Sequence, residues 1–135
     1  MAPTCAIELD IARLIFHTPL MRMILYGIPN CDTVKRARLW LQQHGRDVRF
    51  HDFKKAGVPS ERLDAWVEAL GWERLLNRRG TAWHKLDDTL RAGVTDAQSA
   101  KRVMLAHPSV IKRPVVEWTG GAITVGFSAA DWTGR

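Results

Sequence analysis

Residues 24–28, Ile-Leu-Tyr-Gly-Ile, make a short apolar run closed by Pro29 and Asn30, and a helical pattern begins almost at once behind them. No other feature of the chain constrains its fold as much. A brief apolar run bounded by turn residues reads as a buried strand. Val34, Ala37, Trp40 and Leu41 then recur at helical spacing, so a helix is expected from Asp32 to about His44, with Gly45 ending it. Asn30 is the expected N-cap, because its side chain can accept from a first-turn amide. Residues 47–52, Asp-Val-Arg-Phe-His-Asp, read as a second strand. The opening is therefore strand, helix, strand, in the manner of a βαβ unit.

The middle of the chain reads as helices. Gly57-Val58-Pro59 makes a turn, Ser60 is a candidate cap, and Leu63, Trp66, Val67 and Leu70 follow at helical spacing. A short helix over 72–77, a loop at Arg78-Arg79-Gly80-Thr81 and a weakly marked helix over 86–91 come next. Thr95 and Gln98 form a candidate capping box for a helix that Pro108 stops near His107. Residues 115–118 and 122–125 flank Thr119-Gly120-Gly121, a hairpin signal. Ser128 and Asp131 suggest a last short helix. This order implies an α/β class, one domain over 23–135, with helices inserted between the βαβ opening and the hairpin.

Composition narrows the function classes. With 135 residues, 46% of them apolar, and six tryptophans, the chain can build a core without metal or disulfide support. Two cysteines exclude a disulfide framework and fit a reducing compartment. The net charge of +6 permits an anionic substrate or an acidic partner. Its basic residues are scattered and belong to no nucleic-acid-binding signature, so a solvated basic surface is expected and no direct nucleic-acid partner. The five histidines lack ligand-like spacing, and no metal site is expected. Residues 1–22 differ from the rest. Glu8, Asp10 and Arg13 interrupt their apolar runs, which excludes a signal peptide or membrane span and points to an N-terminal extension on a cytoplasmic protein. A monomer is the default expectation.

Cys31 carries the chemistry. It follows a buried strand and lies at a helix start, where free amides and the helix dipole favour an anion. A thiol there is more acidic than a free one, and the thiolate is the nucleophile. Lys35 and Arg36 add positive potential one turn on, and the Thr33 hydroxyl can donate to the sulfur or to a bound oxyanion. Val34 stands where a C-x-x-C motif has its second cysteine, so a dithiol cycle is not expected. Ala37 stands where a tyrosine-phosphatase loop needs arginine. Cys31 should therefore form a mixed disulfide with an outside thiol, glutathione being the obvious one, resolved by a second glutathione or a glutaredoxin. Arg113-Pro114, taken alone, reads as a surface arginine before a strand-opening proline.

The segment Tyr26-Gly27-Ile28-Pro29-Asn30-Cys31-Asp32-Thr33-Val34-Lys35 resembles the arsenate reductase family, and is closest to its YffB-like branch. So do Leu75 to Thr81, His107 to Val116, and Gly126-Phe127, in the same order along the chain. The resemblance implies a thioredoxin-like, glutaredoxin-like mixed sheet flanked by helices, with a helical insertion. It implies that Cys31 is the nucleophile, that Pro114 is cis beside it, and that Arg113 faces the thiol and binds an oxyanion. The expected site is Cys31 and Arg113 as catalytic pair, with Asn30, Thr33, Lys35, Arg79 and Pro114 around the substrate. Glutathione is the implied co-substrate, with no bound cofactor. Departures stand beside the match. The family's reductases carry three arginines around the thiol. Asn77 replaces one, although Arg78 or Arg79 can reach in, and Gly126 replaces another. Gly27 replaces a histidine. Each charged hydrogen bond lost costs about 1.5–3 kcal/mol, so weak arsenate binding is expected. The family also includes Spx-like regulators that bind RNA polymerase and often carry a C-x-x-C switch. Val34 removes that switch here, so the resemblance leaves polymerase contact as an alternative.

Overall fold

The computed structural model describes residues 22–135. Cys5 and the rest of the expected N-terminal extension, apart from Arg22, lie outside the described residues.

The chain opens with β1 (Met23–Gly27), α1 (Asp32–Gln43) and β2 (Val48–Asp52). Five helices follow: α2 (Phe53–Ala56), α3 (Ser60–Leu70), α4 (Trp72–Leu75), α5 (Thr81–His84) and α6 (Asp88–Ala92). Next come α7 (Ala97–Ala106), a 3-10 turn at Pro108–Val110, β3 (Val115–Glu117), β4 (Ile123–Val125) and α8 (Ala129–Thr133). The four strands form one mixed sheet in the order β2-β1-β3-β4. β1 runs parallel to β2, with Tyr26 opposite His51, and antiparallel to β3, with Tyr26 opposite Val115. The β3–β4 hairpin pairs Val115 with Val125.

Alternation along β1 sends its side chains to two cores. Met23 and Leu25 pack with Val34, Ala37 and Leu41 of α1 and with Trp132 of α8. Tyr26 and Ile28 pack on the other face with Phe53, Trp66, Leu75, Met104 and Ile111 from the inserted helices. Helices thus cover both faces of a sheet whose central strand is apolar throughout, as its sequence requires. Trp132 meets Trp40, Trp118 and Phe127 edge-on, at centroid distances of 5.6, 5.0 and 4.8 Å, and Trp66 is fully buried, so these rings fill the core as expected. The architecture is the thioredoxin-like α/β fold with a helical insertion.

Three caps differ from expectation. Helical backbone starts at Asp32, so Cys31 and not Asn30 takes the N-cap position, and Asn30 stays exposed in the preceding turn. Pro59 caps α3, and Ser60 becomes its first helical residue. The box on α7 is made by Asp96 and Ser99, not Thr95 and Gln98: Asp96 accepts from the Ser99 amide at 2.8 Å, and Ser99 Oγ accepts in return from the Asp96 amide at 3.1 Å. A carboxylate one residue later captures the amide more strongly than a hydroxyl. The helix expected over 86–91 is α6, shifted to Asp88–Ala92, while α5 and α2 are additional, α2 started by Asp52 accepting from the Lys54 amide at 2.8 Å.

The inserted helices are tied to the sheet at Glu117. Its carboxylate accepts from Tyr26 Oη at 2.9 Å, Trp66 Nε1 at 2.8 Å and Arg62 Nε at 2.7 Å. Burial, reinforced by the adjacent carboxylate, pushes the Tyr26 phenol well above its ordinary range, so it stays a neutral donor. Removing the acceptor strands two buried donors and a guanidinium. Glu117→Ala is expected to lower the unfolding free energy by about 2–4 kcal/mol, read from urea denaturation. A loss near zero would show that water satisfies those donors equally well.

Candidate active site

The site begins where β1 ends. Gly27 is packed so closely on α1 that a Cβ there would lie 2.8 Å from Val34 Cγ2. The strand and helix approach at van der Waals contact only because residue 27 has no side chain. The same contact explains two of the sequence's departures together: Val34, in the place of a second cysteine, fills the space that a side chain at 27 would occupy.

Cys31 follows in extended conformation, φ −144° and ψ 122°, and its carbonyl starts the helix by accepting from the Lys35 amide at 2.9 Å. It is half-buried and touches both cores. Burial alone pushes the thiol's pKa up. The Val34 amide, the Arg113 guanidinium and the Thr33 amide push it down, and together they outweigh burial, so the thiol sits below its ordinary value of 9.0. Thr33 thus acts through its backbone N–H.

Arg113 comes from the opposite direction. Its peptide bond to the buried Pro114 is cis, and Val115 starts β3 immediately after. The Arg113 Nη1 donates to the Ser109 carbonyl at 2.8 Å, with a longer 3.5 Å contact to the Ile111 carbonyl. Its Nε is buried and has no hydrogen-bond partner among the described residues. The same side chain reaches the Cys31 sulfur, and a buried donor without an acceptor costs about 1–3 kcal/mol.

The segment holding Ser109 and Ile111 is sewn to the inserted helices. The Asn77 amide donates to the Val110 carbonyl at 2.7 Å, the Lys112 amide donates to the Leu75 carbonyl at 2.7 Å, and Leu76 bridges Ile111. These carbonyl anchors are what sequence reading missed. Their only trace is the conjunction of the Leu75–Thr81 and His107–Val116 motifs.

Of the expected residues, the structure brings together Cys31, Arg113 and Thr33, and Pro114 follows Arg113 in the chain. Asn30 and Lys35 are exposed on either side of the thiol. Arg79 is exposed, and its backbone amide donates to Asn77 Oδ1 at 3.2 Å. Arg78 stacks over the Trp72 ring at 5.2 Å. Gly126 has φ +85° and open space where a side chain would extend.

The geometry predicts an acidic thiol held down in part by Arg113. With Cys5→Ser removing the other cysteine, the pH dependence of Cys31 alkylation should give a pKa below 9.0, and Arg113→Met should raise it. An unchanged pKa in that variant would remove the guanidinium from the account. Linkage gives the sign for stability. The folded state holds the thiolate more readily than the unfolded chain, so the contribution is full above the unfolded pKa and is lost as pH falls through the folded one.

Comparison with known proteins agrees with this geometry. Residues 26–134 match the ArsC family model. A solved YffB protein is 45% identical, with a TM-score of 0.78, covering 83% of this chain and 96% of its own. An arsenate reductase (ArsC) related protein from Brucella melitensis is 48% identical, with a TM-score of 0.66, covering 85% and 94%. The global transcriptional regulator Spx of Lactiplantibacillus plantarum is 26% identical over 98 residues, 70% of this chain and 71% of its own. With the family model spanning the sheet, the insertion and the Cys31–Arg113 site alike, the chain belongs to the ArsC family.

Proposed function

We propose that this protein is a glutathione-dependent thiol reductase of arsenate-reductase-like type, working as a cytoplasmic monomer through Cys31. The observation that carries the reading is the half-buried Cys31 thiol between the α1 amides and the Arg113 guanidinium, with its pKa lowered. In the reaction, the Cys31 thiolate attacks one sulfur of a disulfide, the S–S bond breaks, and the departing sulfur leaves as thiolate. With glutathione disulfide the product is a mixed disulfide on Cys31. Val34 occupies the position of an internal resolving thiol. With a substrate disulfide, one glutathione thiolate therefore displaces the held half as a thiolate and stays on Cys31. A second glutathione or a glutaredoxin removes it, so two thiols are oxidised to one disulfide for each disulfide reduced. Arg113 supports both the attacking thiolate and the charge on the leaving sulfur.

Glutathione disulfide should add one glutathione to Cys31 in the Cys5→Ser protein, read by intact mass, and none to the protein that also carries Cys31→Ser. An unmodified Cys31 would falsify the reading.

Arsenate is a poor fit. Gly27 and Gly126 supply no side chain, and Arg78 is engaged on Trp72. A coupled assay with arsenate, glutathione and glutaredoxin should give turnover near background, and robust turnover would show that Arg113 alone suffices. The kinship with Spx supports a second reading, a regulator that contacts RNA polymerase. Co-purification with purified core polymerase tests it, and failure to bind would leave the reductase reading alone.

A further inference from the structure

We propose that the outer edge of β4 is a docking groove for an extended acidic segment of the protein whose disulfide exchanges with Cys31. This rests on Cys31 being an exchanging thiol, and it adds where a protein substrate is held.

β4 ends the sheet. Within the hairpin, the Gly126 amide donates to the Pro114 carbonyl at 2.9 Å and the Trp118 amide to the Ala122 carbonyl at 2.8 Å, with Thr124 opposite Val116 between them. The even-numbered residues of β4 therefore face β3. Antiparallel alternation turns the N–H and C=O of Ile123 and Val125 outward. Among the described residues nothing bonds to them. Exposed edges are usually blunted by a charge, a proline or a bulge. β4 is short, but Ile-Thr-Val carries no charge and no proline, so its outward groups are open to pairing with a short added strand.

A cleft of about 500 Å³ runs along this edge, within the range of about 300–1,000 Å³ common to ligand sites. Leu70 and Arg74 wall one side, and Asp131 and Arg135 of the C-terminal segment wall the other. Two exposed arginines against one exposed aspartate give the groove a positive balance. A second copy of the chain would bring the same excess and be repelled. A segment with carboxylates is complementary.

The groove reaches Gly126, whose amide donates to the carbonyl of Pro114, next to Arg113. The register Tyr26–Val115–Val125 places Gly27, Pro114 and Gly126 in the next row across the sheet. Two strand spacings separate the ends of that row, and a strand added outside β4 lies a third spacing off, about 14 Å from β1 in all, a span that four or five extended residues cover at about 3.3 Å each. A peptide paired on β4 therefore needs four or five further residues to carry a cysteine across to the end of β1, behind which Cys31 lies. The missing side chain at Gly126 leaves the passage clear. Cys31 attacks that cysteine's sulfur, the peptide's S–S bond breaks, and the other sulfur departs as thiolate.

The test uses the Cys5→Ser protein and a synthetic peptide of alternating Glu and Val, with a cysteine four residues beyond, activated as its 2-pyridyl disulfide. Release of pyridine-2-thione gives the exchange rate. The controls are the same peptide with Lys for Glu, and 2-hydroxyethyl 2-pyridyl disulfide. The acidic peptide should react about tenfold faster than the lysine peptide at low salt, with the gap closing as salt rises. Arg74→Glu should abolish that preference and leave the small disulfide's rate unchanged. Val125→Pro, which removes an outward N–H along with some core packing, should slow both peptides but not the small disulfide, with folding checked by circular dichroism. Equal rates for the two peptides, or a preference that survives Arg74→Glu, would overturn the groove while leaving the thiol's reactivity intact. If the small disulfide also fails to react, the exchange reading itself falls, and the groove proposal with it.

Discussion

The contact between Gly27 and Val34 governs the rest of the site. A strand that carried a Cβ at its last position would hold the helix off. Cys31 would then move away from the sheet, because it is the residue that joins the two. The thiol's position is thus set by the closest approach of two backbones, and everything that tunes it is measured from there. The helix amides come with the helix, while Arg113 comes from the start of β3, across the sheet from β1's far end.

Two opposing effects meet at the sulfur. Burial between the two cores makes the charged form costly, while two amides and a guanidinium make it favourable. The second group wins, because the Val34 and Thr33 amides and the Arg113 bond and charge together outweigh burial. In open water the same guanidinium would be screened and the same amides solvated. Partial burial therefore both penalises the thiolate and gives its partners their strength. An amide at a helix start needs no side chain to be placed well, which is why Thr33 contributes through its N–H.

Much of this was legible in the sequence, for identifiable reasons. The βαβ opening and the hairpin follow from hydrophobic spacing and turn residues that act locally. Cys31 at a helix start follows from the same local pattern. What the sequence alone hid depends on contacts far apart in the chain. The Ser109 and Ile111 carbonyls that hold Arg113 are invisible in composition, because any residue has a carbonyl. Asn30 looked like the cap because capping preference is a side-chain property, whereas the place of the cap was decided by where helical dihedrals begin. Arg113 read in isolation as a surface residue, and only the family resemblance moved it to the thiol. The likeness to solved relatives fixes the fold over most of their length; the exchange chemistry itself rests on the site.

The backbone stitching between residues 75–77 and 110–112 bears on how freely such a protein can vary. Its bonds run from amide to carbonyl and do not read side-chain identity. Substitutions on the outside of the inserted helices can therefore accumulate without displacing the arginine that those bonds support. A lineage can change the surface this insertion offers to partners while keeping one thiol and one guanidinium in register. The same scaffold can then carry divergent surfaces while the backbone holds the thiol and the guanidinium in place.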